Sequence, residues 1–285
     1  MSVVVTGYAS LDYAVRLDRP PRADTTATIL SRPLEWPRLG GSPAYVAAAL
    51  VEGGAGDTIP ISWVANDADG ARYREGLARL GVRTDGIALR SGRTPVCILA
   101  YQPDGACHCL YDPGLAEPIE LDPRQGELVA AAEWVCLSIG PARATRTALA
   151  VIRSDATVVW AVKADARALP EDLASAIAAR ADIIAFSRGE AKFVGKARVS
   201  AGARKRSQIL IETRGREGVA LSEGGREDVF PVEPVGADDT TGAGDTFLGG
   251  FLAASILNSA PPAVAAKAGI EAARALLAGR AARAG

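Results

Sequence analysis

The run Asp239-Thr240-Thr241-Gly242-Ala243-Gly244-Asp245-Thr246-Phe247 carries the residue types that phosphate chemistry needs. Two glycines flank an alanine, an aspartate follows at once, and an apolar stretch over residues 247–257 comes next. This pattern reads as a loop entering a buried helix, whose first backbone N–H groups have no partner within the helix. Helix starts attract anions, and glycines let a phosphate approach the backbone. A carboxylate beside such an anion site suits a general base, and the combination points to phosphoryl transfer. The tetrad alone is not diagnostic, because Gly54-Ala55-Gly56-Asp57 repeats the same four letters. That copy follows a helical stretch at 44–50 and precedes a strand-like 58–64, which makes it a glycine helix stop and connector. The nine-residue context separates the two.

The elements that must position this run alternate. Residues 3–6, 59–64, 134–138, 157–162, 182–186 and 208–213 read as short buried strands. Helical stretches near 44–51, 70–80, 143–152 and 171–179 lie between them. The alternation predicts an α/β fold with a mainly parallel sheet and helices on both faces. Two segments break the rhythm. Residues 13–17 with 26–30, and 96–101 with 107–111, look like hairpins, the second around Pro103-Asp104-Gly105. They predict a small accessory sheet, which would serve as a lid that excludes water or as a surface for a homodimer. In open α/β sheets ligands gather beyond the carboxyl ends of the strands. Gly7, Asp12, Gly140, Ser187, Glu190, Thr213 and Gly215 all fall at such ends.

Composition narrows the classes. A chain of 285 residues with 48% hydrophobic content supports one large domain, and neither a linker nor an internal repeat divides it. A net charge of −1 argues against nucleic acid as a main partner. The short cluster Arg204-Lys205-Arg206 reads as a solvated loop. The start Met1-Ser2-Val3-Val4-Val5-Thr6-Gly7 has neither a basic region nor a long apolar core, so no secretory signal is expected. No apolar run is long enough to span a bilayer, so no membrane partner is expected. Four cysteines without framework spacing fit a reducing cytoplasm. Cys107-His108-Cys109 has no second ligand pair at zinc spacing, and strand alternation would send His108 to the opposite face from the cysteines.

Taken together, the motifs resemble those of the ribokinase-like, or PfkB-type, carbohydrate kinases. Residues 239–252, including Gly249-Gly250, are similar to that family's C-terminal signature. Gly40-Gly41-Ser42-Pro43-Ala44 resembles its N-terminal diglycine motif, and Asn66-Asp67-Ala68-Asp69-Gly70 the loop before its next helix. Thr213-Arg214-Gly215-Arg216-Glu217-Gly218 resembles its nucleotide-side turn, and the similarity in order and spacing runs over nearly the whole chain.

The resemblance implies a three-layer α/β/α sandwich over residues 1–285, with lid strands from about 12–38 and 94–112. It implies ATP and Mg²⁺, with Asp245 as the base and the backbone of Gly242, Ala243 and Gly244 as the anion hole. It places Asp12, Gly40, Gly41 and position 45 on the substrate, and Ser187, Thr213, Gly215 and Gly218 on the nucleotide. Glu190 would organise Mg²⁺-bound water. Many relatives are activated by a monovalent cation, whose ligands this sequence does not reveal.

There are departures from the pattern. Tyr45 stands where the family usually has asparagine, which adds an aromatic wall, and Ser187 replaces an asparagine. Lys163 lies where the family varies and could reach a phosphate. The alanine-rich segment 261–278 lacks the usual asparagine, leaving adenine contacts unassigned.

A Walker-type NTPase fails for want of Gly-Lys-Ser/Thr, and a dinucleotide-binding fold for want of an early Gly-x-Gly-x-x-Gly. The leading expectation is an ATP-dependent kinase acting on a sugar or sugar-like alcohol. A nucleoside kinase is the alternative within that chemistry, since Tyr45 could stack on a base. From another class stands a sugar-binding or regulatory protein without turnover, motivated by Tyr45 and Ser187.

Overall fold

The computed structural model describes residues 1–202, 207–237 and 239–284, so the Arg204-Lys205-Arg206 cluster lies outside the described residues. The chain begins β1 (Val3–Thr6), β2 (Ser10–Leu17), β3 (Ile29–Ser31), β4 (Arg38–Gly40), α1 (Ser42–Glu52), β5 (Thr58–Ala65), α2 (Ala68–Arg79) and β6 (Ile87–Arg90). There follow β7 (Val96–Tyr101), β8 (Cys107–Asp112), α3 (Pro123–Ala131), β9 (Trp134–Leu137), α4 (Ala142–Val151), β10 (Thr157–Ala161) and α5 (Glu171–Arg180). It closes with β11 (Ile183–Ser187), α6 (Ala191–Ala201), β12 (Ile209–Thr213), β13 (Val219–Glu223), β14 (Arg226–Phe230), α7 (Ala243–Asn258) and α8 (Pro262–Ala284).

Nine strands form the central sheet in the order β14-β13-β12-β11-β10-β9-β1-β5-β6. Pairing is parallel from β12 to β6 and antiparallel at the β12-β13-β14 edge. Alternation along the strands makes two cores. Val3, Val5, Val159, Ile183 and Ile211 pack with Val46, Leu50, Phe247 and Phe251 of α1 and α7. Val4, Val135, Val158, Trp160 and Ile184 face the other way, onto α3, α4, α5 and α6. Strands buried on both faces read as continuous apolar runs, which is why the sequence exposes them.

The second sheet has the order β3-β2-β7-β8, with β4 also paired to β2. The hairpin expected at 96–111 forms as β7–β8, with Leu99 opposite Cys109. The first expected hairpin differs. Its first strand starts earlier, at Ser10, and β3 is confined to Ile29–Ser31 with a register shift at Arg16/Leu17. Aspartate is a poor strand residue, so Asp12 looks like a loop position. The strand takes it in because Ser10 donates to its carboxylate and β4 pairs with its backbone. Parallel pairing of β2 with β7 joins the two halves. On β8, Cys109 Sγ lies 3.1 Å from Cys97 Sγ of β7. Among the described residues, no helix is long and apolar enough to cross a membrane.

Close helix contacts in the first layer set the site. A β-carbon at Gly249 would lie 2.5 Å from Ala49 Cβ of α1, and one at Gly250 would lie 2.7 Å from Ala272 Cβ of α8. A β-carbon at Gly269 would lie 2.6 Å from the Phe247 carbonyl. The diglycine in α7 thus lets two helices approach it at once. Gly249→Val should overpack the α1–α7 contact and cost about 1–3 kcal/mol, read as a lower urea midpoint. Gly126→Ala, in α3 where a β-carbon meets nothing within 4 Å, should leave the midpoint unchanged or raise it. Equal midpoints for Gly249→Val and the parent would show that the contact is slack.

Candidate active site

The cleft is built where α1 and α7 begin. Gly41 precedes α1 at φ 83°, where a β-carbon would overlap the Tyr8 carbonyl. Gly242 precedes α7 at φ 74°. A β-carbon there would lie 2.5 Å from the Tyr45 ring, so only glycine fits both the backbone conformation and the space. Two helix N-termini, each carrying partial positive charge, therefore open on one cleft. The Ala243 amide bonds the Thr240 carbonyl at 3.1 Å, so an anion arriving at this loop competes with that carbonyl.

Asp245 sits in the first turn of α7. Burial pushes its carboxyl up to about 6, against a hydrogen bond from Ser42 and the charge of Lys163, while Glu190 and Asp12 push it further up. Those neighbours come from both sides. Ser42 opens α1 and Asp12 lies in β2, whereas Lys163 follows β10 and Glu190 follows β11. The structure thus brings Asp245, Asp12 and Glu190 together around the helix start.

Asp12 is buried and accepts from Ser10 Oγ at 2.7 Å. Burial raises its carboxyl above the usual range, with Ser10 and Arg38 opposing. A β-carbon at Gly40 would overlap the Asp12 carboxylate, so the first glycine of the pair clears space for that side chain.

Glu190 is fixed by three donors. Its Oε2 accepts from the Ser187 amide and Oγ, each at 2.8 Å, and its Oε1 accepts from the Ala164 amide at 3.2 Å. Ser187 therefore serves here as the cap that orients Glu190. Thr213, Gly215 and Gly218 form a turn closed by Arg214 N–H to the Gly218 carbonyl at 2.8 Å. Arg188 ties this turn to the Glu190 segment through Glu217, at 2.6 and 2.8 Å.

Tyr45 packs against Gly242, and Arg280 Nη2 donates to its hydroxyl at 3.3 Å. Burial pushes that hydroxyl up to about 12, so it stays protonated. Asp67 has a structural job, accepting from the Gly70 amide at 2.7 Å, Thr94 Oγ1 at 2.6 Å and the Thr94 amide at 2.8 Å.

Five residues in or beside the cleft were not singled out as site residues in the sequence: Arg38, Ser42, Tyr101, Asp239 and Arg280. Asp239 bonds Arg38, and Tyr101 of β7 bonds Thr241. Asp239 would be raised by burial, but Arg38 and Arg280 hold it down at about 2. Ser42 and Asp239 lie within the quoted motifs. Arg38, Tyr101 and Arg280 lie outside them, and Arg280 is 41 residues beyond Asp239.

A model described as the pfkB family carbohydrate kinases matches residues 3–284. The chain belongs to this family. This pfkB-family protein is 35% identical over 127 residues to the ATP-dependent ribose-1-phosphate kinase of Halopiger xanaduensis. That match spans 43% of this chain and 42% of the relative. Its fold is that of the Thermotoga maritima ribokinase, with a TM-score of 0.77 at 19% identity over 97% of this chain and 93% of that one. It is also that of the Methanocaldococcus jannaschii nucleoside kinase, with a TM-score of 0.75 at 18% identity over 97% and 92%.

Whether groups can bind is a question of donors. Among the described residues, no cluster of three or more His, Cys, Asp or Glu could hold a metal directly. Glu190 beside Asp245 suits a Mg²⁺ held by phosphates and water, which keeps most of its hydration. Carboxyl-selective NMR titration of Asp245 should give a midpoint near 6. Ser42→Ala and Lys163→Met should each raise it, since each removes an interaction favouring the anion. A midpoint near 4 in the parent protein would contradict the burial that defines the site.

Proposed function

We propose that this chain is an ATP-dependent kinase that moves the γ-phosphoryl group to a hydroxyl of a sugar or sugar-like alcohol. The observation that carries the reading is the place of Asp245 in the first turn of α7, beside the Gly242–Gly244 loop and flanked by Asp12 on one side and by Lys163 and Glu190 on the other. A base near 6 is ionised at neutral pH yet basic enough to take a hydroxyl proton as the oxygen attacks.

Asp12 accepts from substrate hydroxyls, and the open backbone at Gly40 and Gly41 lets the substrate lie close. The N–H groups at Gly242, Ala243 and Gly244 receive the charge that develops on the transferring group, where one lost donor typically costs about 3–4 kcal/mol. Thr213, Gly215 and Gly218 with Ser187 hold the nucleotide side, and Glu190 orders the water around Mg²⁺. When bound, Mg²⁺ neutralises phosphate charge. Lys163, exposed beside Asp245, adds a positive charge on the same side. The curated relative named for ribose 1-phosphate and the solved ribokinase support a sugar acceptor. Tyr45 favours a sugar over a nucleoside, because its ring is engaged with Gly242 and Arg280.

Asp245→Asn tests the base. Turnover should fall by roughly 10²–10⁴-fold while calorimetry shows ATP binding retained. The folded carboxyl titrates above its unfolded value, so the neutral form is favoured in the native state and stability falls as pH rises through about 6. Asp245→Asn should therefore melt higher than the parent at pH 8, which separates lost chemistry from lost folding. Near-normal phosphorylation by this variant would refute the mechanism.

In the parent, kcat/KM should drop about tenfold per pH unit below about 6. The substrate is found by screening sugars, sugar phosphates and nucleosides for ADP release with Mg·ATP. Turnover of nucleosides alone would overturn the sugar reading, and tight binding without turnover of any compound would overturn the enzymatic one.

A further inference from the structure

The loop that leads into the anion hole is held by a side chain from the end of the last helix. Arg280 of α8 is 15% exposed at its side chain and aims its guanidinium at residues 239–241. Its Nη1 donates to the Asp239 carbonyl at 3.2 Å and to the Thr241 carbonyl at 2.5 Å, and lies 3.5 Å from Asp239 Oδ1. Two carbonyl oxygens and a carboxylate oxygen thus converge on one nitrogen. Its Nη2 reaches the Tyr45 hydroxyl, and the guanidinium carbon stands 5.8 Å from the centre of that ring. Tyr45 in turn presses on Gly242, the residue at the hole.

Arg38 and Arg280 both face the carboxylate of Asp239, while the Thr241 amide donates to Asp239 Oδ1 at 3.0 Å. The charge of Asp12 reaches both guanidinium groups as well, so the cluster pairs two cations with two carboxylates. Within it Arg280 is the cation bonded directly to the backbone of residues 239–241. The carbonyl oxygens held by Arg280 fix a loop whose Thr241 amide is taken by Asp239 Oδ1 and whose Ala243 amide is taken by the Thr240 carbonyl.

We propose that Arg280 is the internal cation that sets the geometry of the anion hole and holds a positive charge against its entering loop, with Tyr45 as its relay to Gly242. It is a positioning residue that touches neither substrate. The proposal rests on the anion-hole reading of residues 242–244. It also gives Tyr45 a role in this chain that needs no contact with substrate, and it makes the end of α8 part of the active site.

The test is chemical rescue. Arg280, Arg38, Tyr45 and Asp239 line a groove of about 810 Å³ that opens to solvent behind the cleft, so a small cation can enter the space a truncated side chain leaves. Arg280→Ala should lower kcat by about 100-fold, the effect of a small misplacement at a reacting centre, with KM for both substrates within about threefold. Guanidinium ion at a sub-denaturing concentration should restore much of that kcat, whereas urea, its neutral isostere, should not. Arg280→Lys, which keeps the charge, should fall between.

Unchanged kcat in a folded Arg280→Ala would overturn the proposal, as would a loss that appears only in KM. Equal rescue by urea would overturn the role of charge. If Arg280→Ala does not fold, full activity in Arg280→Gln would overturn the proposal by itself. Asp245→Asn is run beside these variants. If it stays active, the reading of the base has failed; if it is inactive while Arg280→Ala is unimpaired, only the role of Arg280 has failed.

Discussion

Everything in the cleft depends on two helices beginning within a side chain's reach of one another. Gly249 lets the backbone of α7 press on α1, and this contact brings Gly41-Ser42 and Gly242-Ala243 to a common opening. Each start contributes unpaired amides and a partial positive charge. A carboxylate placed there would ordinarily be held as a stable anion. Asp245 is half-buried, and its desolvation outweighs the Ser42 hydrogen bond, so its proton affinity rises. The same contact therefore fixes the geometry of the site and leaves desolvation to tune its chemistry.

The sheet supplies breadth around this centre. Successive parallel strands end on the same side, so residues distant in sequence meet there: Asp12 near the first strand, Lys163 after β10, Glu190 after β11 and Thr213 at the end of β12. The capping arrangement at Ser187 shows how little side chain is needed. One hydroxyl and the amides of Ser187 and Ala164 hold the carboxylate direction at Glu190. Serine at 187 is thus sufficient to orient that acid in this chain.

Much of this was legible in the sequence for a physical reason. A strand buried on both faces is close to an apolar run, and β1, β9 and β10 are such runs apart from a terminal threonine in β1 and β10, while β5 is broken only by Ser62 after its first residue. Glycine motifs are legible because a backbone at positive φ or in close contact tolerates little else, as at Gly41 and Gly242. The edge hairpin β13–β14 was less visible, because β14 is largely exposed and rich in charge. Helix α3 is announced in the sequence by the reciprocal capping of Asp122 and Gln125. The Arg38–Asp239–Arg280 cluster had no such signal. Its members are 201 and 41 residues apart, and an arginine in an alanine-rich helix looks like a solvated one until the packing of α8 turns it inward.

Among the described residues the two sheets share no strand, and on the proposed mechanism this separates two tasks that meet at one hydroxyl. Asp12 belongs to the smaller sheet, while Asp245 and the glycine loop belong to helices seated on the larger one. Changes in β2, β4, β7 or β8 can reshape what is held without disturbing how it is phosphorylated. The exceptions are Tyr101 of β7, whose hydroxyl bonds Thr241, and Arg38 of β4, which bonds Asp239; both make the smaller sheet a direct neighbour of the glycine loop's approach. On that reading, a lineage that altered its acceptor would have freedom over most of the smaller sheet but not at Tyr101 or Arg38, where a change in specificity becomes a change in rate.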